Sequence, residues 1–330
     1  MDDALLAYMV LWAAILVYFL LASVDLGTGF YHLISLRRPE GAGVRRAIHA
    51  YVNPRWEVTN VFLVMIVVGA AAFLPGLVGI LGTVLLIPVS LVAMVFVIRA
   101  AFLVFEYYGG ERHLFAAIYS LAGLLILPLL SVVLTLIIDN PVTLRGGVAT
   151  FDVLSPLSHP VTYVTALLAF FGEILLSGTL ALYYDDRTED RVVYRAPVLA
   201  SAGGVALLGI AELLLLKSSA SYAFANMLGL APLMAVTGAL FAVASFLVWR
   251  GTRREALYGF LMFVAVDALA LMTFAFAHYP YLIYPDITVS AVLAAPAMVS
   301  LLLVVLGAGL LAVVPSLIYL NLLFRPAKSV

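Results

Sequence analysis

The sequence predicts an all-α, polytopic integral membrane protein of about nine transmembrane helices. Three observations carry this. The 330 residues are 65% hydrophobic and 11% charged, against about 25% charged for a soluble domain. Several apolar runs reach the roughly 20 residues that cross a bilayer as a helix. The basic residues also segregate by connection, which only the right number of crossings produces. A closed barrel is the other fold that satisfies its backbone in lipid, but it needs alternating strands of about ten residues, and the runs here are too long and too uniformly apolar.

The candidate spans are, roughly, 4–31, 57–75, 77–105, 114–138, 160–184, 196–216, 229–249, 256–277 and 289–324. The chain opens Met1-Asp2-Asp3, whereas a signal peptide opens on a basic region, so the first run is expected to stay as a helix. Pro75-Gly76 is expected to form a two-residue turn between spans two and three. The last run carries Pro315, which predicts a kink or a tilt. The connections are short, the longest being 32–56 and 139–159, so no soluble domain is expected. The expected organisation is a single membrane-embedded domain over 1–330. Its first four-helix bundle covers about 1–138, and a second bundle plus one peripheral helix covers about 160–324.

Of the 17 basic residues, 15 fall in or beside connections after odd-numbered spans or in the tail; Arg145 and Lys217 fall on the other side. The positive-inside rule then places the C-terminus in the cytoplasm and the N-terminus outside. There is no cysteine, which excludes disulfides, thiolate metal sites and thiol redox chemistry within this chain. A net charge of −1 gives no reason to expect nucleic acid.

Charged side chains at membrane depth are rare and mark ion or proton paths, or polar joints between helices. Asp25 ends the first run in Val24-Asp25-Leu26-Gly27-Thr28-Gly29, and Glu57 opens the second in Asn53-Pro54-Arg55-Trp56-Glu57. Arg99 lies late in the third, with Glu106 seven residues on and so on the same helical face. Three consecutive helices thus carry charge at similar depth on the cytoplasmic side, and short connections bring such helices together. Gly27 and Gly29 would admit another backbone at close range. One reading is a proton-conducting cluster; the other is an ion-pair network that only staples helices.

Glu173 and Asp267 lie near the middle of spans five and eight. Neither has a basic partner in its own span, so each is expected to be protonated, paired across helices, or lining a wet cavity. The histidines, His32, His49, His113, His159 and His278, all fall in predicted loops or near span ends. A buried haem needs axial ligands facing a shared cavity; His159 and His278 share the outer side, and no metal-binding spacing stands out. The tyrosines near span ends, such as Tyr183, Tyr184, Tyr279, Tyr281 and Tyr284, suit interfacial belts, as does Trp56.

These motifs resemble those of subunit II of the cytochrome bd-type quinol oxidases. The first helix of that family ends in an F-D-x-G-x-G-like motif, matched here by Val24 to Gly29. Its second begins I-x-P-x-W-D/E-x-N-x-V-W-L, matched by Val52-Asn53-Pro54-Arg55-Trp56-Glu57-Val58-Thr59-Asn60-Val61-Phe62-Leu63, then Ala71-Ala72-Phe73-Leu74-Pro75. Arg99 matches a late arginine of the third helix, and Tyr279-Pro280 followed by Ile287-Thr288 resembles the family's F-P there. Thr59 and Phe62 depart from the family's Asn and Trp, and the arginine-to-acid spacing is two residues longer, which marks a divergent branch.

The resemblance implies a subunit of a membrane quinol:dioxygen oxidoreductase that pairs with a haem-bearing subunit I. That partner carries haems b and d and the quinol site, and this chain holds no complete haem site. A small single-helix subunit, lipid and quinone are further partners it suggests, in a bacterial or archaeal cytoplasmic membrane. It assigns Asp25 and Glu57 to a proton path with Arg99 as counter-charge, and sets Phe62 near an oxygen route. Two alternatives remain from the residues: a proton-coupled secondary transporter using Glu173 and Asp267, and an inert assembly scaffold.

Overall fold

A computed structural model describes residues 3–36, 56–108, 113–139, 142–145, 148–151, 155–184 and 188–323. Helix α1 (Asp3–Leu36) is followed by α2 (Trp56–Phe73), a single 3-10 turn at Pro75–Leu77, α3 (Val78–Val84), α4 (Leu86–Tyr108) and α5 (His113–Asp139). Then come β1 (Val142–Arg145), β2 (Val148–Phe151), a 3-10 turn at Ser155–Ser158, α6 (Pro160–Tyr184), α7 (Thr188–Ser219), α8 (Ser221–Gly229), α9 (Ala231–Arg250) and α10 (Arg253–His278). The chain closes with β3 (Tyr281–Ile283), β4 (Ile287–Thr288), α11 (Val289–Val292) and α12 (Pro296–Leu323).

Among the described residues, seven helices are long and apolar enough to cross a bilayer: α1, α4, α5, α6, α7, α9 and α10. Shorter apolar helices at Thr59–Phe73 and Pro296–Ala312 stand where the second and ninth spans were expected. The chain is an all-α, multi-pass membrane protein.

Several boundaries differ from the sequence expectation, each for a local reason. The third run divides at Leu85 into α3 and α4, with Pro88 in the first turn of α4, where a missing N–H is tolerated. The ninth run divides before Pro296, which starts α12, while Pro315 stays inside that helix. The connection expected as plain loop at 139–159 carries the antiparallel β1–β2 hairpin, and β3–β4 forms a second. Strands this short have no hydropathy signature of their own. Between α9 and α10, Gly251 adopts φ 81° and ends one helix; Thr252 and Glu255 then form a reciprocal cap that begins the next.

Helix α1 is the axis. It packs against α2, α5, α6, α10 and α12, and it enters three buried clusters along its length. Tyr8 and Trp12 join Phe73, Ile283 and Val299. Tyr18, Ala22 and Leu26 join Phe62, Val95, Ile126 and Ala169. Tyr31 joins Leu176, Tyr194, Val198 and Phe263. Exposed apolar faces such as Val64, Val67 and Val68 on α2, Leu207, Ile210 and Leu214 on α7, and Leu301, Val304 and Val305 on α12 are suited to hydrocarbon or to another membrane helix.

Candidate functional site

Two glycines bring the helices together where the charges sit. A Cβ on Gly29 would fall 2.8 Å from the Ser120 carbonyl oxygen of α5. A Cβ on Gly27 would collide with the Glu173 carbonyl of α6 and the Ser177 hydroxyl. Without side chains there, α1 meets α5 and α6 backbone to backbone.

Across this junction the Arg99 guanidinium reaches Asp25. Its Nη2 donates to both carboxylate oxygens at 3.2 Å and to the Tyr119 hydroxyl at 3.3 Å. The guanidinium carbon also lies 5.1 Å from the centre of the Tyr119 ring, within cation–π range. Asp25 is 6% and Arg99 5% exposed, so each charge relies on the other. The Arg99 side chain crosses α5 at Gly123, where an added Cβ would lie 3.4 Å from Nε and 3.6 Å from the Leu26 carbonyl oxygen.

Glu106 does not join that pair. Its Oε1 lies 3.4 Å from His32 Nε2, and His32 Nδ1 lies 2.9 Å from Ser120 Oγ. Asp25 and His32 are seven residues apart on α1, and Arg99 and Glu106 are seven apart on α4. The result is a ladder of two ionisable rungs about 10 Å apart along the helices. Tyr119 and Ser120 of α5 stand between the rungs, with the His32 and Tyr119 rings 6.4 Å apart.

The placement of His32 corrects the sequence reading. Hydropathy ends the first span at 31, but the helix runs to Leu36, and His32 is 1% exposed inside it. The matched seven-residue spacing was the signal that could have found this rung. A second residue overlooked in the sequence is Glu212 of α7, whose Oε1 accepts a 2.8 Å hydrogen bond from Thr165 of α6. It sits in an uninterrupted apolar run, and its partner is on another helix.

Glu173 is fully buried, and neither carboxyl oxygen has a hydrogen-bond partner among the described residues. Asp267 is half-buried on α10. Phe62 is buried beside Tyr18 and Leu26, while Asn60 is half-buried. Trp56 and Glu57 start α2, but their side chains lie outside the described residues, so the expected meeting of Glu57 with Asp25 is not described.

Among the described residues the two most deeply buried histidines, His32 and His278, lie at opposite ends of the helices. Tyr8, near the start of α1, hydrogen-bonds Ala275 close to His278, whereas His32 is 24 residues further along α1, about 36 Å at helical rise. They cannot be the two axial ligands of one haem. Among the described residues no group of three His, Cys, Asp or Glu is placed to hold a metal ion.

A family model described as cytochrome bd terminal oxidase subunit II matches residues 4–324. The chain belongs to the cytochrome bd terminal oxidase subunit II family. It is 30% identical over 304 residues to a Bacillus subtilis (strain 168) protein called "Putative cytochrome bd menaquinol oxidase subunit II", across 89% of this chain and 88% of that one. It superposes on a chain of the bd oxidase from Geobacillus thermodenitrificans with a TM-score of 0.85 and 29% identity, covering 98% of this chain and 99% of the other. As a subunit II of a quinol oxidase, it places the Asp25–Arg99 and His32–Glu106 rungs in a membrane protein of the respiratory chain.

Proposed function

We propose that this subunit II chain pairs with a haem-bearing subunit I and supplies that partner with protons drawn from the cytoplasm. The observation that carries the reading is the ladder. Asp25 with Arg99 and His32 with Glu106 put two exchangeable groups in line, about two helical turns apart. Such a line suits proton movement by way of intervening hydroxyls and water, for which Tyr119 and Ser120 are available. Glu57, at the start of α2, is the proposed entry acid. Oxygen reduction consumes protons, so a cytoplasm-facing acid route serves the chemistry of the complex.

The residues fit this division of labour. Haems b and d are assigned to subunit I, as the family resemblance implies, and that partner would carry out the electron transfer. The isolated chain would then be non-catalytic. The name of the Bacillus subtilis relative favours menaquinol as the donor, with quinone, lipid and a small single-helix subunit as further components of the complex. The distribution of arginines supports a cytoplasmic C-terminus and an outer N-terminus in a bacterial or archaeal cytoplasmic membrane. Two four-helix bundles with α12 at the periphery remain the proposed organisation. Membership of the oxidase family favours this reading over a transporter using Glu173 and Asp267.

Purification through a tag on this chain, from its native membrane, is expected to yield a coloured complex with a haem-bearing partner. A colourless, partner-free preparation would sink the assignment. In the complex, Asp25→Asn and Glu57→Gln are each expected to lower quinol-driven oxygen consumption at least about tenfold, with haem content unchanged. Wild-type turnover in both variants would leave the ladder with a structural role alone.

A further inference from the structure

The proton route leaves one buried acid unused. Glu173 is 0% exposed, and both its carboxyl oxygens lack a hydrogen-bond partner among the described residues. A second buried polar atom, the Ser23 hydroxyl on α1, shares that condition. Orphaned polar atoms in a dry interior are expensive, and natural proteins satisfy them with buried water.

Glu173 and Ser23 belong to one place. Along α1, Phe19, Ser23 and Gly27 form a stripe at four-residue intervals. The two ends of that stripe are fixed against α6: Phe19 lies beside Gly172, and Gly27 faces the Glu173 carbonyl. Ser23, between them, therefore faces the same turn of α6. Ala169, one turn before Glu173 on the same face of α6, packs in the cluster that holds Tyr18 and Leu26. Gly27, which admits the Glu173 carbonyl, lies two residues from Asp25, and the Arg99 side chain and the Leu26 carbonyl meet at Gly123. The Glu173–Ser23 seam thus adjoins the Asp25–Arg99 rung on the face toward α6.

One turn further toward the Leu36 end of α1, Tyr31 fills the space over Gly178 and donates to the Ile174 carbonyl at 2.8 Å. Tyr31 also packs against Tyr194 at 5.2 Å between ring centres.

We propose that Glu173 and Ser23 hold a small water cluster beside the Asp25–Arg99 pair, and that Glu173 serves there as a proton reservoir for the path. The exchange is simple. A carboxylate oxygen of Glu173 gains a proton as a water of the cluster, itself protonated from the path, gives one up; the reverse returns it when the path is drained. No oxidant or further reactant is needed. This inference rests on the proton-path reading, and the experiment separates the two.

The test uses the intact oxidase complex, purified with its haem subunit, and reads infrared difference spectra between oxidised and reduced enzyme in H2O and D2O alongside turnover. The wild type is expected to show a carboxylic-acid carbonyl band that shifts in D2O. Glu173→Gln should abolish that band and lower turnover at least about tenfold, with haem content and the quinol KM unchanged. Glu173→Asp should keep a displaced band and recover part of the turnover. An unaltered band and wild-type turnover in Glu173→Gln overturn the proposal. Should that variant fail to assemble, Ser23→Ala provides the reading: the band moves if Ser23 shares the cluster, and an unmoved band overturns the proposal. If Asp25→Asn is slow while Glu173→Gln is not, the reservoir falls and the path stands. If Asp25→Asn and Glu57→Gln both turn over normally, the path falls and the reservoir falls with it.

Discussion

The two ends of this helical bundle finish their helices with opposite chemistry. At the arginine-rich end, the last carbonyls of α9 accept from guanidinium groups of α7, Arg195 to Trp249 and Arg191 to Gly251, the latter at 2.7 Å. The α6 terminus there is served by Arg253, whose Nε donates to the Tyr183 carbonyl at 2.9 Å. At the tyrosine-rich end, the last turn of α10 is satisfied by neutral donors. Tyr8 gives a 2.9 Å bond to the Ala275 carbonyl, Asn226 a 2.9 Å bond to Ala277, and Tyr222 donates to His278. Burial, and then the neighbouring Tyr281 and Tyr284, push the Tyr222 hydroxyl above its usual range, so it stays a donor.

Helix C-termini leave carbonyls unsatisfied wherever they fall, and a cation there also complements the helix dipole. The two ends solve one problem under different constraints. Arginines at one end satisfy carbonyls and also bias membrane orientation. At the other end, rings around Tyr8, Trp12, Phe274 and His278, with centre distances of 5.5–6.0 Å, pack the helix ends without charge. The charged ladder lies in the half of the helices nearer the arginine-rich end.

The sharpest way to break this contrast is to unpair the ladder. Arg99→Ala leaves Asp25 buried without its counter-charge, an expected loss of about 3–5 kcal/mol. It should appear as a large drop in the unfolding midpoint of the detergent-solubilised complex. Adding Asp25→Ala should recover part of it, and purely additive losses would mean that the pair is not coupled. Next comes the junction itself. Gly29→Val drives a side chain into the α5 backbone, with an expected penalty of about 1–3 kcal/mol, read as reduced assembly with subunit I in native gels.

The caps should matter less. Tyr8→Phe removes one buried hydrogen bond while keeping the ring, for an expected loss of about 1 kcal/mol in the same unfolding assay. Arg253→Gln, at an exposed cap, is expected to lose only about 0.3–1 kcal/mol, and less at high salt. Equal losses at the two ends would erase the distinction drawn between them.

Much of this architecture is legible in the sequence because membrane helices advertise themselves. Charges within apolar runs are few, so Asp25 and Arg99 point to each other once their helices are placed at the same depth. The His32–Glu106 rung is hidden because hydropathy stops where polarity begins, five residues before α1 ends. Tyr119, Ser120 and Gly123 are ordinary residues of an apolar helix, and only the packing of α5 between α1 and α4 gives them their place. Glu212 is missed because its partner, Thr165, lies on a different helix.

The equal spacing of the two rungs has a mechanical consequence. Both join the same pair of helices, seven residues apart on each. A piston movement of α4 by a single turn, about 5.4 Å, would pull both charge pairs out of register together. A two-turn slide would bring Arg99 to His32 or Glu106 to Asp25 without restoring both rungs, so α4 is held as by a key, in one register.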